Sequence, residues 1–328
     1  MAPKRGLVAR EDGSVAVTGA ARQNRGLREI YVIWLLVGLA AVAVLETYWR
    51  FPASRLWNVS GTGASGGVSR AFVFLSFSPA LIAIAVLAIV VDRLDDRRAT
   101  LLGLASLALC ATVAIPGVQT PDDLDAKWSN LPAVIGVALA FALTLRAGAR
   151  GRREAVRTTR GGDVARLVTG AVALFLAAPY IAAELGFFLD GFPLLGSIFQ
   201  TRRLRPETPG SSYVRAAVHH GHHHGLDGFL LTVTALLLSR LLGGISRRGL
   251  RTATAAYLSL MLVYGLTNMA NDLWSEQVVK RSWTTWQIPD VLSPTASAAW
   301  GAMIACAIVV YYACWRERPL LGRRFGRR

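Results

Sequence analysis

The sequence predicts an all-α fold, a polytopic integral membrane protein built as a bundle of about eight transmembrane helices. Three observations lead there. Of 328 residues, 53% are hydrophobic and 17% charged, where a soluble domain carries roughly a quarter charged residues. The charges cluster between apolar runs about 20 residues long, the length an α-helix needs to cross hydrocarbon. The basic residues also collect in alternate loops, as the positive-inside rule requires of a chain that crosses repeatedly.

The apolar runs place helices at 30–48, 71–91, 99–116, 131–147, 164–187, 226–243, 251–271 and 296–315. Ahead of them, residues 1–29 form a polar, basic tail without the apolar core of a signal peptide; residues 317–328 form a second basic tail. The 30–316 domain between them carries two long exterior loops, 188–225 and 272–295. Of 36 Lys and Arg, 26 fall in the N-terminal tail, in the residues after the 296–315 helix (Arg316 included) and in the loops at 92–98, 146–166 and 240–251, against 10 in the remaining loops. Both termini are therefore expected in the cytoplasm. The net charge of +16 is accounted for by this topology, so no nucleic-acid partner is expected. Only three basic residues are Lys (Lys4, Lys127 and Lys280), which points to a GC-rich bacterial genome and a multi-pass protein of the plasma (inner) membrane. Cys110, Cys306 and Cys314 lie within helices at no metal or redox spacing and read as small packing residues.

The two exterior loops differ in character. Residues 192–199 are apolar but too short to span, and are expected to dip into the interface. The second loop sets Trp274, Trp283 and Trp286 around Lys280 and Arg281. Trp prefers the headgroup level, so an amphipathic helix lying on the membrane is expected, with Lys280, Arg281 and Trp283 meeting an anionic, amphipathic or lipid-linked substrate.

All five histidines fall within seven residues, His219-His220-Gly221-His222-His223-His224 followed by Gly225 and, two further on, Asp227. With a helix start at Ser211 or Ser212, His219, His223 and Asp227 stack at i, i+4 and i+8, with His220 and His224 beside them. This spacing lets a helix present two imidazoles to one metal. A transition metal ion, Zn, Cu or Fe, is expected on His219, His220, His223, His224 and Asp227. An extended segment would put His220, His222 and His224 on one face instead.

Further ionisable groups cluster at the same predicted level: Glu46, Glu184 and Asp272, with Asn268, Asn271 and Glu276. Carboxylates inside a membrane domain are costly and face a cavity or one another. Glu184, Asp272 and Glu46 are the candidate catalytic acids and bases. Asp92, Asp95 and Asp96 read instead as solvated partners of Arg93, Arg97 and Arg98.

Two motifs are set aside. Gly61-x-Gly63-x-x-Gly66 has the spacing of a dinucleotide fingerprint but no strand before it. Gly63-Ala64-Ser65-Gly66 is similar to the GxSG of rhomboid-type intramembrane proteases, yet the number and order of spans differ, and the stretch reads as an exterior loop. Membrane desaturases and alkane hydroxylases distribute their His boxes over several helices, which this chain does not. The expected function is a membrane metalloprotein, an enzyme acting at the exterior leaflet. The alternatives are a divalent-metal permease, a metal-independent cyclase or isomerase using Glu and Asp as proton donors, and a non-catalytic pH sensor or assembly protein.

Overall fold

The computed structural model describes residues 27–52, 56, 60–115, 118, 124–150, 162–186, 188–206, 209–218, 224–289, 291–292 and 294–316. The two basic tails up to residue 26 and from 317 lie outside this range, as do His219, His220, His222 and His223; His224 is described by its backbone alone. The helices are α1 (Leu27–Arg50), α2 (Gly63–Ser76), α3 (Ser78–Leu94), α4 (Arg97–Ala111), α5 (Leu131–Arg150), α6 (Asp163–Glu184), the single turn α7 (Leu195–Ile198), α8 (His224–Ser239), α9 (Arg248–Trp274) and α10 (Ala298–Val310). A π-turn extends α9 to Val279 and another extends α10 to Trp315. Between α7 and α8, strands β1 (Leu204–Pro206) and β2 (Val214–Ala216) form an antiparallel hairpin with Arg205 opposite Arg215.

Among the described residues, seven helical segments are long and apolar enough to cross a membrane, and the shorter α8 is apolar as well. The surface agrees. Leu35, Leu39 and Val42 on α1, Leu101 and Leu104 on α4, Val164, Leu167 and Val172 on α6, and Ile308 and Val309 on α10 are all exposed. So much outward apolar surface suits lipid contact and would be a liability in water.

The centre of the bundle is α8, buried along almost its whole length. It packs most closely on α9, where Gly228 faces Gly265. A Cβ on either glycine would stand 2.6 Å from the other's carbonyl oxygen, so only a missing side chain lets the two backbones meet. The Gly/Ser-rich stretch expected to be an exterior loop is instead the first turn of α2. A Cβ on Gly67 would lie 2.5 Å from the Leu45 carbonyl oxygen, so Gly67 seats α2 against α1. Ser65 is exposed and donates to the Thr62 carbonyl at 3.0 Å, an ordinary helix-start contact. Phe77 then breaks the helix, and α3 resumes with Pro79 in its first turn, where a proline costs no hydrogen bond.

Three further expectations are corrected. Residues 272–295 contain no separate amphipathic helix: α9 runs through to Val279, and the described chain beyond it is irregular up to α10. The helix expected to start at Ser211 or Ser212 is absent there. The Ser211 hydroxyl accepts the Tyr213 N–H at 3.0 Å, residues 214–216 are extended, and the described part of α8 is His224–Ser239. The acids at the arginine-rich end reach beyond their own loop. Asp96 caps α4 by accepting the Ala99 N–H at 2.7 Å and also binds Arg146 and Arg150 on α5 at 2.9 and 2.6 Å. Asp95 meets Arg247 at 3.5 Å, and Asp92 accepts the Ser246 N–H at 2.7 Å.

The Ala99 N–H, followed by the Arg150 and Arg146 guanidiniums, holds the Asp96 carboxyl below its usual range. A depressed folded-state value means that the stabilisation is present above the ordinary carboxylate range and is lost as pH falls through the folded value. Asp96→Asn keeps a capping oxygen but no charge. The Tm gap between it and the parent protein should therefore be constant above about pH 5 and close below about pH 4. A gap independent of pH would refute this account.

Candidate functional site

The described chain buries six charged side chains: Arg70 (0% exposed), Glu184 (1%), Asp227 (4%), Asp272 (1%), Glu276 (3%) and Lys280 (7%). All six lie at the end of the bundle that carries the β-hairpin. Glu184 ends α6, Asp227 lies in the first turn of α8, Asp272 in the last turn of α9, Glu276 on its π-turn extension and Lys280 directly after that turn. Arg70 lies about two turns into α2. Within this buried set four acids face two bases, and such charges need compensation inside a low-dielectric bundle.

Local structure explains how they converge. Lys280 turns inward, binds Glu276 at 3.2 Å and donates to the Ala217 carbonyl at 3.4 Å. The π-turn between Glu276 and Lys280 keeps both on the interior face. The Thr47 hydroxyl on α1 donates to the Glu184 backbone carbonyl, tying the end of α6 to α1. The hairpin is fixed to α9 through a paired amide contact. The Gln200 N–H donates to Gln277 Oε1 at 2.8 Å, and Gln277 Nε2 donates to the Gln200 carbonyl at 2.9 Å.

Tyr180 stands at the middle of this end and is fully buried. Val218, the last described residue before the histidines, packs on Tyr180 and Ala183. Gly225, directly after His224, lies against the same Tyr180 side chain. Both ends of the five-histidine stretch are thus anchored on one aromatic ring. That ring also feels the charges of Asp272 and Glu276, while Glu184 feels those of Arg70 and Asp227.

The chain matches no protein-family model, no curated protein and no solved structure. The site is therefore read from its own chemistry.

The structure brings Glu184, Asp227, Asp272 and Glu276 to one end, together with Asn268, also buried. Asn271 is tied to the loop before α10, its amide donating to the Ile288 carbonyl at 2.7 Å. Glu46 is not gathered in. It is exposed on α1 and pairs with Arg50 one turn on, at 3.2 Å. Of the expected substrate contacts, Lys280 faces the interior. Arg281 donates to the Ile198 carbonyl at 2.5 Å and to Gln277 at 3.1 Å, and its guanidinium stacks 4.8 Å from the centre of the exposed Trp283 ring. Burial, then the nearby charges of Arg205 and Arg203, pull the Arg281 guanidinium below its ordinary value. Among the described residues, no three His, Cys, Asp and Glu side chains are grouped to hold a metal ion; the expected ligands His219, His220 and His223 lie outside them.

Sequence reasoning missed Arg70. Starting the helix at residue 71 made it a loop cation, whereas the helix that begins at Gly63 carries it inside. Its signal was available: the only charge in the 29 residues from Gly63 to Val91.

Proposed function

We propose that the chain is an eight-span bacterial plasma-membrane protein, with its termini in the cytoplasm and the hairpin end outside, that works as a metal-dependent enzyme at that end. Two or three of His219, His220, His223 and His224 hold a Zn, Cu or Fe ion with Asp227. The observation that carries the reading is the anchoring of both flanks of the His stretch, Val218 and Gly225, on Tyr180. The same end of the bundle buries four carboxylates against two cations. A divalent ion offsets such an excess. When bound, it supplies a Lewis acid or lowers the pKa of a coordinated water.

The rest of the chemistry falls to the protein. Glu184, buried and held at the end of α6 by the Thr47 contact, takes or gives the proton. Asp272 and Glu276 fix the charge balance with Lys280. Arg281 and Trp283, at the rim, suit an amphipathic or lipid-linked substrate. Confinement of every buried described charge to one end favours chemistry there over conduction of an ion across the bundle.

Elemental analysis tests the proposal on detergent-purified protein prepared without a His tag or nickel chromatography, beside the His219→Ala/His223→Ala/His224→Ala variant. About one metal per chain is expected in the parent and none in the variant. Metal missing from both after incubation with Zn²⁺, Cu²⁺ and Fe²⁺ would refute it.

A further inference from the structure

Over its first three turns α6 stands off from α8. The gap is a lateral groove of about 690 Å³, a volume typical of small-molecule sites. Its walls are Leu167 and Leu174 on α6 and Phe229, Val233 and Leu237 on α8. Contacts at both ends fix it. At the basic end, Arg166 Nε donates to the Ser239 hydroxyl at 2.8 Å, and Arg240 pairs with Asp163 at 3.1 Å and with Glu29 on α1 at 2.9 Å. Towards the hairpin end, Ala173 and Ala177 bring α6 in against Met269, with Phe229 packed beside them. Between these points Gly170 leaves room. A Cβ there would have Leu236 Cδ1 as its neighbour across the gap, at 3.9 Å.

The groove specifies its occupant. Walls this apolar do not hold water, and an empty void of this size forfeits packing contacts along every wall. It opens outward, because Leu167 is 74% and Leu174 51% exposed on a helix long and apolar enough to cross a membrane. Its length matches one leaflet. From Phe229 to Arg240 the chain rises about 16 Å at ~1.5 Å per residue, half of the ~30 Å hydrocarbon core. The charged residues that line it, Asp163, Arg166 and Arg240, all stand at the basic end.

Arg240 has donors to spare at that end. Its contacts to Glu29 and Asp163 run through Nη1, Nη2 and Nε, which leaves one N–H on each Nη, the pair that matches two phosphate oxygens. A slot that is apolar for the depth of one leaflet and cationic at its mouth has the polarity of a phospholipid. Basic pockets between membrane helices hold lipid headgroups in this way.

We infer that the α6–α8 groove binds a phospholipid of the leaflet at the basic end, with one acyl chain in the groove and the phosphate on Arg240. The phosphate position is at the opposite end of α6 from Glu184. The site requires only that the bundle cross a bilayer, so it stands or falls apart from the metal reading.

The test measures binding of dioleoylphosphatidylglycerol to detergent-purified, delipidated protein in EDTA by native mass spectrometry. One saturable lipid per chain is expected, bound at least tenfold tighter than dioleoylglycerol, which lacks the phosphate. It should also bind at least tenfold tighter than dihexanoylphosphatidylglycerol, which lacks the chain length. Gly170→Leu fills the groove and should weaken binding at least tenfold at parental Tm; if it fails to fold, Ala171→Leu on the exposed wall replaces it. Arg240→Gln should remove the preference over dioleoylglycerol. Gly38→Leu, on the outward face of α1, should change nothing. Binding without saturation, or binding unchanged by the groove-filling variant, would mean contact with bulk lipid only and would overturn the inference. Equal binding of the short-chain lipid would overturn it too, by reducing the site to a free-phosphate contact. Because EDTA is present throughout, neither result bears on the metal.

Discussion

Replacing Gly228 with leucine is expected to cost the protein its fold. The Cβ alone would stand 2.6 Å from the Gly265 carbonyl oxygen and 2.8 Å from Met269 Cγ, and backbone cannot step aside as a flexible side chain can. Overpacking a core usually costs about 1–3 kcal/mol and more where nothing yields; here the central α8 would have to leave α9. Gly265→Leu meets the same barrier from the other side, with the Gly228 carbonyl at 2.6 Å and the Thr232 hydroxyl at 2.7 Å. Both variants should run as aggregates on size exclusion or melt far below the parent. Gly38→Leu on α1, where a Cβ meets nothing within 4 Å, is the control and should melt with the parent. A Gly228→Leu protein with parental Tm would show that α8 and α9 do not meet as described.

The second large effect concerns charge. Arg70→Gln leaves Glu184 with the Asp227 charge nearby and without the cation that offsets it. Removing one partner from a buried charge group costs about 3–5 kcal/mol, because the remaining charge stays desolvated and uncompensated. Adding Glu184→Gln should return most of that loss, which is the signature of coupled sites rather than of two independent defects. Chemical unfolding of the two single variants, the double variant and the parent measures the coupling. Additive losses would mean that Arg70 and Glu184 do not act on each other.

Much of this architecture is legible in the sequence because membrane helices announce themselves by length and apolarity, which depend little on tertiary context. The predicted 131–147 and 251–271 spans lie within the observed α5 and α9. The reading failed where packing overrides local preference. Residues 63–67 are four-fifths Gly and Ser, weaker helix formers than Ala, and within them Gly67 sits where the α1 backbone leaves no room for a side chain. Arg70 was lost with them. Residues 214–216 follow a plausible helix start, yet pair with 204–206 in a hairpin held to α9 by Gln200 and Gln277, a contact between positions 77 residues apart that no local pattern reveals. For the site, the shared level of Glu184, Asp227 and Asp272 followed from where each sits on its helix. The outward turn of Glu46 depends on the angular position of α1, which apolar periodicity fixes poorly when both faces are apolar.

The 16 residues of α8 rise only about 24 Å at 1.5 Å per residue, whereas the 22 residues of α6 rise about 33 Å. Over its described residues the innermost helix is thus shorter than α1, α3, α6 and α9 around it. Its first described turn carries the buried Asp227, whereas Trp283 beyond α9 is exposed. A group that passed from Trp283 to Asp227 would exchange bulk water for a protein wall, so the same chain offers a wet contact and a dry one at a single end of the bundle.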